Sequence, residues 1–216
     1  MPLILQGAID MLPYPTIGLT GGMGTGKSTV ARMIQEAGFC VVFADELGRE
    51  VSAYPSPIFF QIVERFGDSL LKSPQEINRK ALGELFARDP NAKGFLEGLI
   101  HPAVGQRLRE IGNGCLEKGD TKPLFYESAL IFEVGLQGEF LEVWLTDCPP
   151  EEQKRRILAR DGGLSPGALE HRLSLQLSQD QKKQRAHRVI STEGSLGDVK
   201  SRVDQELERI CSIHGI

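Results

Sequence analysis

The chain has 216 residues, 40% hydrophobic and 25% charged, an ordinary globular balance with room for one α/β domain carrying sizeable insertions. Its formal net charge of −4 argues against a protein that coats a nucleic-acid backbone, and no apolar run approaches the ~20 residues that span a bilayer, so neither partner is expected. Cys40, Cys115, Cys148 and Cys211 are scattered, with no Cys-x-x-Cys and no histidine at metal-ligand spacing, and read as reduced thiols of a cytoplasmic protein.

Residues 1–15 contain Asp10 and three prolines and lack a basic segment, so they read as an N-terminal tail rather than a secretory signal, with Met11 an alternative start. Thr16–Thr20 is a short apolar run ending in Gly21-Gly22, which predicts a buried strand entering a turn. From Lys27 to Ala37, Val30, Ala31, Met33 and Ile34 recur at helical spacing until Gly38 stops them. Phe39–Phe43 predicts a second buried strand with Asp45 beyond its carboxyl end, completing a parallel βαβ unit. From about Leu47 to Gly119 the pattern is mainly helical, with apolar faces at Ile58–Phe66, Leu82–Phe86 and Phe95–Ile100, too long for a simple crossover. Gly112-Asn113-Gly114 predicts a break or bend in the last of these helices. Strands return at Pro123–Glu127 and Leu141–Thr146. A helix is predicted from about Glu151 to Ala159, then a second from Ser165, as N-cap, to about Gln184. Arg188–Ser191 closes the sheet and Val199–Ile210 is a final amphipathic helix. Alternation of this kind predicts a parallel sheet covered on both faces.

Gly21-Gly22-Met23-Gly24-Thr25-Gly26-Lys27-Ser28 matches G-x-x-x-x-G-K-[ST] between a predicted strand and a predicted helix. Glycines let successive N–H groups converge on phosphate oxygens, and the helix that follows points its positive end at the same anions. In this reading Gly22 to Thr29 cradle ATP, Lys27 reaches the β- and γ-phosphates from a side chain facing solvent or ligand, and the Ser28 hydroxyl ligates Mg²⁺. Asp45 can accept or orient the proton of an acceptor hydroxyl; a helix N-cap is its structural alternative. Glu127 ends a strand and can hold Mg²⁺ through water, or cap the next segment. Arg156 and Arg160 lie four apart on one helix face, placed to neutralise phosphate charge from a mobile lid. The basic run Lys182, Lys183, Arg185 and Arg188 reads as a solvated face.

With these residues in place, the chain resembles the dephospho-CoA kinase family from Ile17 to roughly Val203. The resemblance rests on Ile17–Thr29, on Ala44-Asp45 with Arg49, and on Arg79 ahead of Leu82. It also rests on Ile100-His101-Pro102, Leu130–Glu133 with Gly135-Leu136, and Glu152-Gln153, Arg156, Arg160-Asp161, Arg172 and Gln176. It implies a P-loop NTPase-type core (about 16–50, 120–150 and 186–212), a helical acceptor-binding insertion (about 51–119) and a small lid (about 151–185). It further implies transfer of the ATP γ-phosphate, with Mg²⁺, to the ribose 3′-hydroxyl of dephospho-CoA by a monomer or weak homo-oligomer. Asp45 becomes the base or orienting residue. Lys27 and Arg156 act on the phosphates, with Arg160 assisting, and Arg49, Arg79, His101 and Glu133 face the acceptor. Three positions depart from the pattern: Phe43 stands for an aspartate, Ala129 for a proline, and His187-Arg188 with Ser191-Thr192 for Ala-Asp and Asp-Asn. Kinases of other small acceptors, and a non-catalytic ATP-binding protein, are the alternatives.

Overall fold

The computed structural model describes residues 12, 14–161, 167, 170, 173–174 and 176–214; the predicted cap at Ser165-Pro166, Arg172 and most of the tail lie outside them. In chain order, β1 (Thr16–Thr20) leads to α1 (Lys27–Glu36), β2 (Val41–Phe43), α2 (Ala44–Val51) and α3 (Pro57–Phe66). A hairpin of β3 (Leu71–Ser73) and β4 (Glu76–Ile77) precedes α4 (Arg79–Arg88) and α5 (Pro90–Glu117). Then come β5 (Leu124–Glu127), β6 (Glu142–Asp147), α6 (Pro150–Asp161), α7 (Gln179–Lys183), β7 (Arg188–Ser191) and α8 (Leu196–His214).

Five parallel strands lie in the order β2-β5-β1-β6-β7. All five residues of β1 are buried, as a central parallel strand requires when helices cover both faces. On one face Ile17, Leu19, Phe125 and Trp144 pack against Val30 and Ile34 of α1 and Val203 and Leu207 of α8. On the other, Tyr126 and Val143 meet Phe132, Phe140 and the carboxyl half of α5 through Val104 and Leu108. A third core of Ile58, Phe59, Ile62, Leu70, Ile77, Leu82 and Leu96 belongs to the helical stretch. Helix α5 therefore contributes to two cores, its first half to the helical stretch and its second half to the sheet.

Register places the site. Glu127 of β5 pairs with Leu19 of β1 on one side and Phe43 of β2 on the other. Its carboxylate thus lies between the loop that follows β1 and the helix that follows β2, at the carboxyl edge where open α/β sheets bind ligands.

Three sequence expectations change. Helix α5 runs unbroken through Gly112-Asn113-Gly114. Gly112 is there for space, because a Cβ on it would stand 2.8 Å from Cβ of Tyr14. The helix expected to reach Gln184 does not, since Gln176–Ser178 is non-helical and Ser178 starts α7 with a capping box to Gln181. The β3–β4 hairpin was not anticipated, because two- and three-residue strands are too short to show alternation.

Candidate active site

The loop Gly21–Ser28 joins the central strand to α1, and Gly24 and Gly26 take positive φ of 80° and 85°, open to glycine without strain. Thr25 is buried and stiffens the loop from within: its hydroxyl donates to Gly22 O (2.8 Å) and shares a hydrogen bond with Thr146 Oγ1 (2.7 Å). The loop opens onto a cleft of about 1070 Å³ lined by Lys27, Ser28, Asp45, Arg49, Glu127 and Arg156, among others. That is ample for a nucleotide and part of an acceptor.

Ser28 and Thr29 are exposed in the cleft at the first turn of α1. Lys27, expected to face solvent or ligand, lines the cleft but is largely buried: its side chain is 15% exposed and forms an ion pair with Glu127, which is 4% exposed overall. Burial lowers the Lys27 ammonium to about 8; Asp45 opposes that shift and Lys182 adds to it. A buried cation with a depressed pKa beside two carboxylates is poised to gain from an arriving polyanion.

Asp45 lies in the first turn of α2, exposed in the cleft. Phe43 holds the N-cap position and no side chain caps the helix, so the capping alternative for Asp45 falls away. Arg49, four residues on, shares the Asp45 face and also lines the cleft. Phe43 packs its ring partly into the core below α1 and lines the cleft, an apolar wall where the family pattern has a carboxylate. Arg79, at the start of α4, donates to Ser52 Oγ (2.8 Å); partial burial and then Arg49 push its guanidinium pKa down, which places the two arginines together. His101, in α5, has its imidazole pushed below the usual range by burial, against a smaller upward pull from Glu97. Neither Arg79 nor His101 lines the large cleft.

Arg156 of α6 reaches the cleft already committed. Its Nε donates to Glu152 (2.7 Å), Nη1 to Thr192 Oγ1 (2.9 Å) and Nη2 to Thr192 O (2.8 Å). Arg155 and then Arg156 hold the Glu152 carboxyl down at about 2. Arg160, one turn further along α6, also lines the cleft. Thr192, buried at the end of β7, donates in turn to Thr25 O (2.8 Å). One hydroxyl therefore couples the arginine to the phosphate loop. Nothing local in the sequence marks Thr192 for this beyond its departure from the family pattern. His187, another of the departures, accepts from Val143 N–H through Nδ1 (2.9 Å) and so ties the entry to β7 to β6.

Glu133 and Lys182 turn away from their expected places. Lys182, read as part of a solvated face, is fully buried and donates to Ala129 O (3.0 Å) and Glu133 Oε1 (2.9 Å). Glu133 also accepts from Leu177 N–H (2.9 Å) and is absent from the cleft lining. The pair pins the turn after β5, where Ala129 replaces proline, to the start of α7.

A parallel sheet with a glycine-rich phosphate loop after its central strand, a lysine and hydroxyl at the head of α1, and an aspartate after the edge strand β2 define a P-loop kinase. The comparisons name the branch. Residues 15–198 match the family model described as dephospho-CoA kinase, and the chain belongs to that family. It is similar to the dephospho-CoA kinase of Geobacter sulfurreducens, 36% identical over 189 residues covering 88% of this chain and 95% of the relative. The dephospho-CoA kinase of Symbiobacterium thermophilum is 34% identical over 199 residues, covering 92% and 82%. Among solved structures, TT1252 from Thermus thermophilus superposes with a TM-score of 0.76 at 30% identity, covering 91% of this chain and 98% of that one.

Proposed function

We propose that this chain transfers the γ-phosphate of ATP to the ribose 3′-hydroxyl of dephospho-CoA, yielding coenzyme A and ADP. The observation that carries it is one cleft holding both an ATP-type phosphate loop and the Asp45/Arg49 face of α2, in a chain of this family.

ATP lies with its phosphates along Gly24–Thr29, where loop N–H groups and the amino end of α1 oppose their charge, the Gly22 and Met23 N–H groups being given to Gln179 and Gln176. Lys27 bridges the β- and γ-phosphates, leaving Glu127 as it does so. The acceptor enters from the α2 side, where Arg49, with Arg79 beside it, meets its anionic groups. Asp45 takes the proton of the 3′-hydroxyl as its oxygen attacks phosphorus. The bond from the γ-phosphorus to the β–γ bridging oxygen breaks, and ADP departs with that electron pair. Arg156 leaves Thr192 to meet charge developing on the transferring group, with Arg160 beside it.

The exposed Ser28 hydroxyl and the Glu127 carboxylate behind it are hard oxygen donors suited to Mg²⁺, Glu127 through water. When bound, the ion supplies neutralisation between adjacent phosphates. The four free cysteines suit a reducing compartment such as the cytoplasm.

An acceptor panel with ATP–Mg²⁺ and ADP release as readout tests the proposal. Dephospho-CoA is expected to be the productive acceptor. Turnover with nucleosides or nucleoside monophosphates, and none with dephospho-CoA, contradicts it.

A further inference from the structure

The outer side of the phosphate loop is held by three glutamines from distant parts of the chain. Gly22 N–H donates to Gln179 Oε1 (3.1 Å) and Met23 N–H to Gln176 Oε1 (3.3 Å), while Gln153 Nε2 donates to Met23 O (2.8 Å). Gln179 is itself fixed, its Nε2 donating to Thr146 O (3.1 Å) and Asp147 Oδ1 (3.0 Å) at the end of β6. Gln176 and Gln179 flank the start of α7, the segment that the buried Glu133–Lys182 pair pins in place.

Space at Gly22 is matched to this arrangement. A Cβ there would stand 3.0 Å from Gln179 Oε1 and 3.1 Å from Gln153 Nε2, so the amides close on the glycine itself. An amide can satisfy a backbone N–H or C=O without a net charge. A carboxylate would bind the same N–H groups but would place a negative charge beside the phosphates.

We infer that Gln153, Gln176 and Gln179 form a neutral amide clamp that positions Gly22–Met23 and so sets the phosphate cradle for ATP. They are positioning residues: they touch the loop, not the reacting atoms. The clamp connects α6 and the start of α7, both within the segment read as a lid, to the loop. The inference rests on the reading that Gly21–Ser28 holds the triphosphate.

The test is calorimetric titration of a non-hydrolysable ATP analogue with Mg²⁺ into Gln176→Ala, Gln179→Ala, Gln176→Glu and Gly22→Ala, beside thermal melts and kinetics with dephospho-CoA. Loss of one such hydrogen bond is expected to weaken analogue binding about tenfold. The KM for dephospho-CoA should stay within about twofold, and melting should shift little. Gln176→Glu retains the acceptor oxygen and shape, so it should bind the analogue more weakly than wild type, with the deficit shrinking as salt is raised. Gly22→Ala should resemble the glutamine variants. Analogue affinity within about twofold of wild type in both alanine variants at Gln176 and Gln179 overturns the clamp. So does a loss that follows the melts and moves both substrates equally, which marks a structural role only. Failure of wild type to bind the analogue overturns it as well. A wild type that binds the analogue yet does not phosphorylate dephospho-CoA refutes the acceptor assignment and leaves the clamp standing or falling on the titrations.

Discussion

On the phosphate side of the cleft, Gly22, Met23 and Thr25 are each fixed by hydrogen bonds that reach across more than a hundred residues of sequence, to Gln179, Gln176, Gln153, Thr146 and Thr192. On the acceptor side, Asp45 and Arg49 stand exposed on one short helix, placed by its register alone. Under the proposed function, the difference teaches that the nucleotide site would be built in advance by the tertiary fold, whereas the acceptor site would be a helix face that its ligand completes. Preorganisation of that kind favours electrostatic stabilisation of the transferring phosphoryl group, which has little covalent chemistry for the protein to do.

The comparison predicts separable losses. Asp45→Asn should lower kcat by about 10² to 10⁴ while ATP affinity stays within a fewfold, because it removes proton transfer and leaves the phosphate side intact. Unchanged turnover removes Asp45 from its role. Lys27→Ala should cost about 10² to 10³ in kcat, and here the two sides differ in a second way. Glu127 is left as a buried carboxylate without its cation, so the melt should move down too. Adding Glu127→Gln should recover the melt and not the turnover; recovery of both would deny Lys27 a part in transfer.

Arg49→Ala should raise the KM for dephospho-CoA about tenfold through loss of a charge-assisted contact, with the ATP KM unmoved. An equal rise in both would collapse the division between the walls. The smallest effect is protonic. Burial holds Lys27 at about 8, against 10.5 for an ordinary lysine, so between those values the unfolded chain carries a proton that the folded one has released. Stability from this group therefore rises with pH across that window. A bound triphosphate reverses the preference, so ATP binding near about pH 8.5 should take up a fraction of a proton. Calorimetry in two buffers of different ionisation enthalpy reads it, and Lys27→Ala should abolish it.

How much of this was legible in the sequence follows from distance along the chain. The loop Gly21–Ser28, Asp45 and the βαβ order are local patterns, and they stand in the structure at the carboxyl edge of the sheet as their spacing predicts. Thr192 and Gln179 are ordinary polar residues whose partners lie far away in the chain, so no window of sequence displays those contacts, and the family resemblance marks Gln153 and Gln176 without showing what they touch. Lys182 looked like surface because its neighbours are charged, yet it is the one of that run that the fold buries. The start of α7 was readable, since Ser178 followed three residues later by Gln181 is a capping-box signal. Gly112 misled because a glycine that makes room for Tyr14 is written like one that breaks a helix.

The most direct test is the position of the phosphate on the product made by purified protein from dephospho-CoA and ATP–Mg²⁺, read by phosphorus–proton correlation NMR. The account predicts a single new phosphomonoester on the ribose 3′ oxygen, with one ADP formed per product. Phosphate at another oxygen, or ADP release without a phosphorylated acceptor, would contradict it.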